Sequence, residues 1–355
     1  MILRKSPYIK FINFKNGKYY YGNLLTHKFI SLTSNQNDVI QSLDTYGYDM
    51  MDIKKQHAAG DIDYLMEHKF LVDENVLWKL NYITKIEIET STYCNYKCEF
   101  CPVRYNKRAR KNIDINLFHE ILRQAKDYKY IKYVTLHAYN EPTVDKRFYD
   151  YADAIQRFNL KLELYTNGSG ITKDMIEYLS KYISLHSVII NFPSIDQSTY
   201  EQMTGSATYE KVVSAIDTMM EAGIKLRLSV QGYDQDMQDI EFEMIHRRWP
   251  NIITVPHISF DRTGTLINQY AQNVMVHDQY LQGCRFVLEM VNVSVDGDMY
   301  LCCNDYRQSL KYGNLKNSDI KSILENEIAS ETRKKIWGGS SAEEDFICRK
   351  CILIK

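Results

Sequence analysis

All eight cysteines of this chain fall in two groups, three between positions 94 and 101 and five between positions 284 and 351. Clustered thiols with none between them point to metal ligation before disulfides, as in a reducing compartment. Cys94, Cys98 and Cys101 follow a C-x3-C-x2-C spacing, and Cys348 and Cys351 close the second group with a C-x2-C pair. Whatever fold forms must therefore place one loop and a C-terminal segment around inorganic centres.

The remaining composition removes several function classes. Apolar residues make up 45% and charged residues 25% of 355 positions, the range of a packed globular chain with room for more than one domain. The net charge of -1, and 28 tyrosines spread without a basic stripe, give no footprint for nucleic acid. Met1–Gly17 has charges inside its apolar stretch and no signal cleavage site, and no apolar run approaches the roughly 20 residues needed to span a bilayer. A cytoplasmic location with no membrane partner is expected.

Three units are expected, over 1–80, 83–265 and 280–355. The first opens with strands at Tyr8–Phe14, Lys18–Gly22 and Lys28–Leu32, with an Asn16-Gly17 hairpin signal. Helical patterns follow at Asp38–Leu43, Met51–His57 and Ile62–His68. The second alternates strands at Thr84–Glu89, Tyr133–His137, Lys161–Tyr165, Ser187–Asn191, Lys225–Val230 and Ile253–Ile258 with helical stretches. Such alternation predicts parallel βαβ units in an α/β fold, a partial (β/α)6 barrel, with its site at the C-terminal ends of the strands. The first cysteine group begins just past the first of them.

Three thiolates in so short a loop can hold three corners of a cubane iron–sulfur cluster and leave the fourth iron open. A zinc knuckle is the alternative, but nothing nearby completes a tetrahedral set. With Phe100 before the last cysteine, the motif resembles the signature of the radical S-adenosylmethionine (SAM) superfamily. That resemblance implies a SAM-binding [4Fe–4S] cluster on Cys94, Cys98 and Cys101, and a 5'-deoxyadenosyl radical that removes hydrogen from substrate. It further implies cofactor contacts at Asn140, Glu141 and Pro142, where family members usually carry Gly-Gly-Glu-Pro, and at Phe100, Asn167 and Asn191. Read without it, Glu141-Pro142 is a helix entry and Asn167-Gly168 a turn.

The segment Val291–Leu301, turning at Asp296-Gly297, reads as a hairpin amid Cys284, Cys302, Cys348 and Cys351. It resembles the C-terminal extension called SPASM or, in short form, twitch, which implies one auxiliary [4Fe–4S] cluster on those four cysteines. Structural zinc is the alternative for the same set. Cys303 is left over; it is a half-buried thiol or, by resemblance to some peptide epimerases, a hydrogen-atom donor. The N-terminal unit resembles the winged-helix, PqqD-like recognition elements beside peptide-modifying enzymes.

These resemblances imply a maturase of a ribosomally made precursor peptide, its leader bound by the N-terminal unit, its electrons supplied by a flavodoxin or ferredoxin. The alternatives are a radical dehydrogenase acting on a carbohydrate or aminocyclitol, and a non-catalytic zinc-containing peptide-binding protein. The basic run Arg104–Lys111 reads as a solvated loop or as a contact for a carboxylate.

Overall fold

The computed structural model describes residues 1–43, 47–105, 108–232, 235–258 and 276–354. Residues 259–265, expected to end the central unit, and Asn106 and Lys107 of the basic run lie outside the described residues.

The N-terminal unit holds strands β1 (Ile2–Lys5), β2 (Ile9–Lys15), β3 (Lys18–Asn23) and β4 (Lys28–Leu32). Helix α1 (Ser34–Ser42), strand β5 (Tyr48–Asp49), helices α2 (Met50–Gln56) and α3 (Ala59–Glu67), and strand β6 (Leu71–Asp73) complete it. Asn16 and Gly17 both take positive φ, 52° and 72°, the left-handed pair that a two-residue β2–β3 turn needs. Thr33 opens α1 with a reciprocal capping box to Gln36. The order β2-β3-β4 forms one sheet and β5-β1-β6 another, around a core of Leu3, Tyr21, Leu32, Ile62 and Phe70. Tyr8, expected in a strand, precedes β2. It is buried edge-on against Trp337, with ring centroids 5.1 Å apart, and so belongs to the main core.

After helix α4 (Glu74–Leu77) come β7 (Lys85–Ile88), α5 (Ile115–Asp127), β8 (Tyr133–Thr135), α6 (Phe148–Arg157) and β9 (Lys161–Thr166). They continue as α7 (Lys173–Lys181), β10 (Leu185–Asn191), α8 (Gln197–Thr204), α9 (Tyr209–Glu221), β11 (Leu226–Gly232), α10 (Gln235–Arg248) and β12 (Ile253–Ile258). Strands β7 to β12 pair in chain order, all parallel, as the alternation predicts. The C-terminal segment adds α11 (Phe286–Glu289), β13 (Met290–Val293), β14 (Asp298–Tyr300), β15 (Lys311–Asn314), α12 (Ile320–Glu325) and α13 (Glu327–Ile336).

The expected hairpin forms as β13 and β14, but β13 also pairs in parallel with β7, so that one nine-stranded sheet runs β12-β11-β10-β9-β8-β7-β13-β14-β15. One face of this sheet carries Ile86, Ile88, Val134, Leu162, Val188, Leu228, Val291 and Met299, which pack with helix residues such as Phe118, Ile155 and Ile216. The other face carries the alternate residues and is polar. The C-terminal segment is thus a continuation of the barrel wall, and a buried Arg333 ties it to the N-terminal side by donating from Nε to the Trp78 carbonyl at 2.7 Å.

Candidate active site

The first cysteine loop follows β7 and is clasped by the end of α8. Lys97 and Glu99 donate their backbone N–H groups to the carbonyls of Thr204 and Met203 at 3.2 and 2.9 Å. Gly205 ends α8 at φ 65°, and a Cβ there would stand 3.1 Å from the Lys97 carbonyl oxygen, so the close approach of loop and helix requires glycine. Phe100 is buried with Tyr96, Cys98 and Met203, and Cys94 and Cys101 pack at the margin of this small cluster. The Tyr96 hydroxyl meets that of Tyr200 at 3.1 Å, fixing the loop's middle.

The adjacent strand-end loops converge on Glu141. Its Oε1 accepts from the Thr143 N–H at 3.0 Å and from the Thr143 and Thr166 hydroxyls at 2.6 Å each; its Oε2 accepts from the Asn167 N–H at 2.6 Å. Burial pushes this carboxyl's pKa up, against the pull of those hydrogen bonds. Asn140 turns inward, donating to the Thr90 hydroxyl and the Leu136 carbonyl at 3.0 Å each and accepting from the Ala138 N–H. The turn forms without the family's two glycines, since no residue from His137 to Asn140 takes positive φ. Pro142 is buried and opens a single 3-10 turn. Asn167 reaches the cysteine loop, donating to Asn95 Oδ1 at 3.0 Å and standing 3.9 Å from the Cys94 sulfur. Asn191 lies further round, accepting from Gln231 at 3.2 Å.

No disulfide joins any of the eight cysteines. Burial raises the Cys94 thiol pKa to about 12, helped by the nearby Glu141 charge, and burial with the charges of Cys101 and Cys94 raises Cys98 well above the ordinary thiol range. In the C-terminal set, burial and then its thiol neighbours raise Cys302 and Cys348, and Cys284 is raised to about 11. Buried, crowded thiols of this kind become thiolates when a metal takes the proton's place. Cys94, Cys98 and Cys101 act on one another electrostatically, and so do Cys284, Cys302, Cys348 and Cys351, so each set gathers its thiols in one place as the separate corners of a cubane require. Both donor sets fit iron–sulfur clusters. Cys302 stands with Cys284 and Cys348, whereas Cys303 also acts on Tyr300, on the polar face.

The basic run is mostly solvated, with Arg104, Arg110 and Lys111 exposed and Arg108 half-buried, yet it makes specific contacts. Arg108 donates from both terminal nitrogens to the wholly buried Glu89 of the β7 end, Lys111 pairs with Asp296, and Arg110 lies over the Tyr93 ring at 4.3 Å. Gln308 also donates to Glu89, at 3.3 Å. The polar sheet face below was not singled out from sequence. Its signal was there: Lys85-Ile-Glu87-Ile-Glu89 and Lys161-Leu-Glu163-Leu-Tyr165 alternate charge with apolar residues, where fully buried parallel strands are near-continuously apolar. Grooves along α5, lined by Asp114, Glu120, Gln124 and Asp319, lie on the opposite, helix-covered side.

The sheet and the two thiol sets define an α/β barrel enzyme built around iron–sulfur clusters. Residues 88–243 match the model of the radical SAM superfamily, and residues 284–352 that of the SPASM iron–sulfur cluster-binding domain. The chain belongs to the radical SAM superfamily, and its cofactors are SAM, a SAM-binding [4Fe–4S] cluster and an auxiliary cluster.

In fold it resembles Streptococcus suis SuiB bound to the precursor peptide SuiA, with 16% identity over 99% of this chain and 94% of that one and a TM-score of 0.61. The enzyme anSMEcpe with bound AdoMet aligns over 76% of this chain and 83% of its own at 13% identity, with a TM-score of 0.57. In sequence it is 21% identical to the 2-deoxy-scyllo-inosamine dehydrogenase of Niallia circulans, over 75% of this chain and 91% of that protein. A cofactor-modifying protein of Pyrococcus furiosus is 29% identical, but the match spans 26% of its length, and that to a Haemophilus influenzae GTP 3',8-cyclase spans 47%. No helix among the described residues is long and apolar enough to cross a membrane.

Proposed function

We propose that the chain is a maturase of a ribosomally made peptide, with residues 1–80 holding the leader while the core peptide reaches the polar face of the barrel. The observation that carries this reading is the likeness to SuiB, which extends over 99% of the chain and so takes in the N-terminal unit along with the barrel. That unit offers a surface suited to an added strand. β2 and β4 are the two edges of their sheet, and Phe11, Phe14 and Phe29 on them stand 55%, 57% and 80% exposed. Strand addition gives affinity through main-chain hydrogen bonds, and tethering raises the local concentration of a weakly held core peptide.

In this reading Cys94, Cys98 and Cys101 hold the SAM-binding cluster, and Cys284, Cys302, Cys348 and Cys351 the auxiliary one. Bound SAM would supply a 5'-deoxyadenosyl radical for hydrogen abstraction. Glu141 fixes the loop ends around that position, Asn167 orients toward Cys94, and Phe100 with Met203 keeps water from the cluster loop. Electrons would come from a flavodoxin or ferredoxin.

A second reading, a radical dehydrogenase of an aminocyclitol, is favoured by the match that covers 91% of the Niallia circulans enzyme. Anaerobic assays separate the two. Mass change in a candidate precursor peptide that disappears when its leader is deleted supports the maturase; turnover of free 2-deoxy-scyllo-inosamine, indifferent to any leader, supports the dehydrogenase and overturns the first reading.

A further inference from the structure

The polar face of the sheet contains one lateral row that crosses the boundary between the barrel and the C-terminal segment. Thr135 on β8 pairs in register with Glu87 on β7, Glu87 with Asn292 on β13, and Asn292 with Tyr300 on β14. All four side chains are at most 5% exposed. Each nevertheless has buried polar atoms with no hydrogen-bond partner: Thr135 Oγ1, Glu87 Oε2, both Oδ1 and Nδ2 of Asn292, and the Tyr300 hydroxyl. Buried polar groups are ordinarily paired, and one left unpaired loses its hydration with nothing in exchange. Four in succession, on adjacent strands about 5 Å apart, form a comb of hydrogen-bonding groups pointing from one face.

The charges around the row select the ligand. Glu87 is its only acid. The nearest cation, Lys85, is bonded to Glu163, and Arg108 is bonded to Glu89, two residues beyond Glu87 and just past the end of β7. The remaining groups nearby, His137 just past the end of β8 and Tyr165 on β9, are stacked on each other with centroids 4.6 Å apart and bring no fixed positive charge; burial holds His137 neutral down to about pH 4. Burial pushes the Glu87 carboxyl up to about 7, with Lys85 pulling it down and Glu163 pushing it further up. An added cation would relieve that buried acid, while Asn292, Thr135 and Tyr300 take up its other N–H groups or its neighbours.

We propose that Glu87, Asn292, Tyr300 and Thr135 form a subsite for a basic side chain of the substrate, an ammonium or guanidinium group carried by the core peptide. The subsite rests on the reading of the chain as a peptide-modifying enzyme, and it assigns the C-terminal β13–β14 hairpin a part in choosing the substrate residue. Its row also lies beside Cys303, whose charge acts on Tyr300.

Calorimetric titration of the cluster-loaded full-length enzyme with L-arginine amide and L-lysine amide, against L-norleucine amide and L-glutamine amide, tests it without any turnover. The basic amides should bind at least tenfold more tightly than the neutral ones. Near pH 7 the heat should vary with the buffer's ionisation enthalpy, because Glu87 gives up a proton on binding, and the preference should strengthen from pH 6 to pH 8. Glu87→Gln should abolish both the preference and the proton release, with Tyr300→Phe weakening binding several-fold. Equal binding of norleucine amide, no binding of either basic amide, or an unchanged preference in Glu87→Gln would each overturn the subsite and leave the row a hydrated polar seam. Loss of leader dependence alone would instead overturn the maturase reading, with the cation preference of the row still in place.

Discussion

The carboxylate of Glu141 accepts a 2.6 Å hydrogen bond from the backbone N–H of Asn167, joining the loop after β8 to the end of β9 beside Cys94. Two hydroxyls and a second N–H complete the set, so one buried side chain sets the spacing of two strand ends. Glu141→Gln puts donors against donors on one side or the other. It should destabilise the protein by about 2 kcal/mol, the size expected for hydrogen bonds to a buried charged group, seen as an earlier urea midpoint. SAM binding should fall with it, while Thr143→Val, which keeps both backbone donors, should show a smaller loss of each.

A second joint depends on charge. Glu89 is wholly buried and is met by both terminal nitrogens of Arg108, with Gln308 adding a third donor from the C-terminal segment. Removing one partner of a buried pair leaves the other charge uncompensated and costs about 3–5 kcal/mol. Arg108→Ala should therefore be severely destabilising, and the double variant Arg108→Ala, Glu89→Leu should recover part of the loss. Equal loss in the double variant would show that the pair does not act as a unit.

Glu87 and His137 make opposite contributions to stability against pH. The Glu87 pKa is raised by burial to about 7, so the folded state holds its proton more tightly; that stability is present below about pH 4.5 and is lost as pH rises through 7. The His137 pKa is lowered by burial, and secondarily by Lys85, to about 4. Its contribution is present above about pH 6.5 and is lost as pH falls toward 4. Glu87→Gln should gain on the wild type from pH 5 to pH 8, by at most about 3 kcal/mol. Chemical denaturation of both proteins across that range gives the difference directly; a constant offset would contradict the assignment.

Adjacent cysteines should behave differently. Cys302 stands with Cys284 and Cys348, and Cys303 acts on Tyr300. Cys302→Ser should lower iron from about eight to about four per chain, and Cys303→Ser should leave it near eight. Chemical iron analysis after anaerobic reconstitution distinguishes them, and equal losses would mean that the ligand set is misassigned.

The strands of the barrel were legible because each is a local apolar alternation, and both cysteine groups because ligand spacing is written in adjacent residues. What escaped was non-local. Strand β1 is too short to read alone and gains its identity from Tyr48 and Leu71, far along the chain. Helix α8, Gln-Ser-Thr-Tyr-Glu-Gln-Met-Thr, carries little apolar stripe and is defined by its Asp196 cap and by Gly205. The hairpin at Asp296-Gly297 was readable, but its parallel pairing with β7, some 200 residues earlier, was not. For the same reason the row from Thr135 to Tyr300 is invisible in any one segment: each strand contributes a single residue, and only the register lines them up.

Radical chemistry on Cys94, Cys98 and Cys101 is read out in protein purified and reconstituted without oxygen, given dithionite and SAM, with 5'-deoxyadenosine measured alongside iron and sulfide. Wild-type protein should release 5'-deoxyadenosine with about eight irons bound, and Cys98→Ala should release none while keeping about four irons on the C-terminal set. Undiminished release from Cys98→Ala, or zinc in place of iron in the wild type with no 5'-deoxyadenosine formed, would contradict the account.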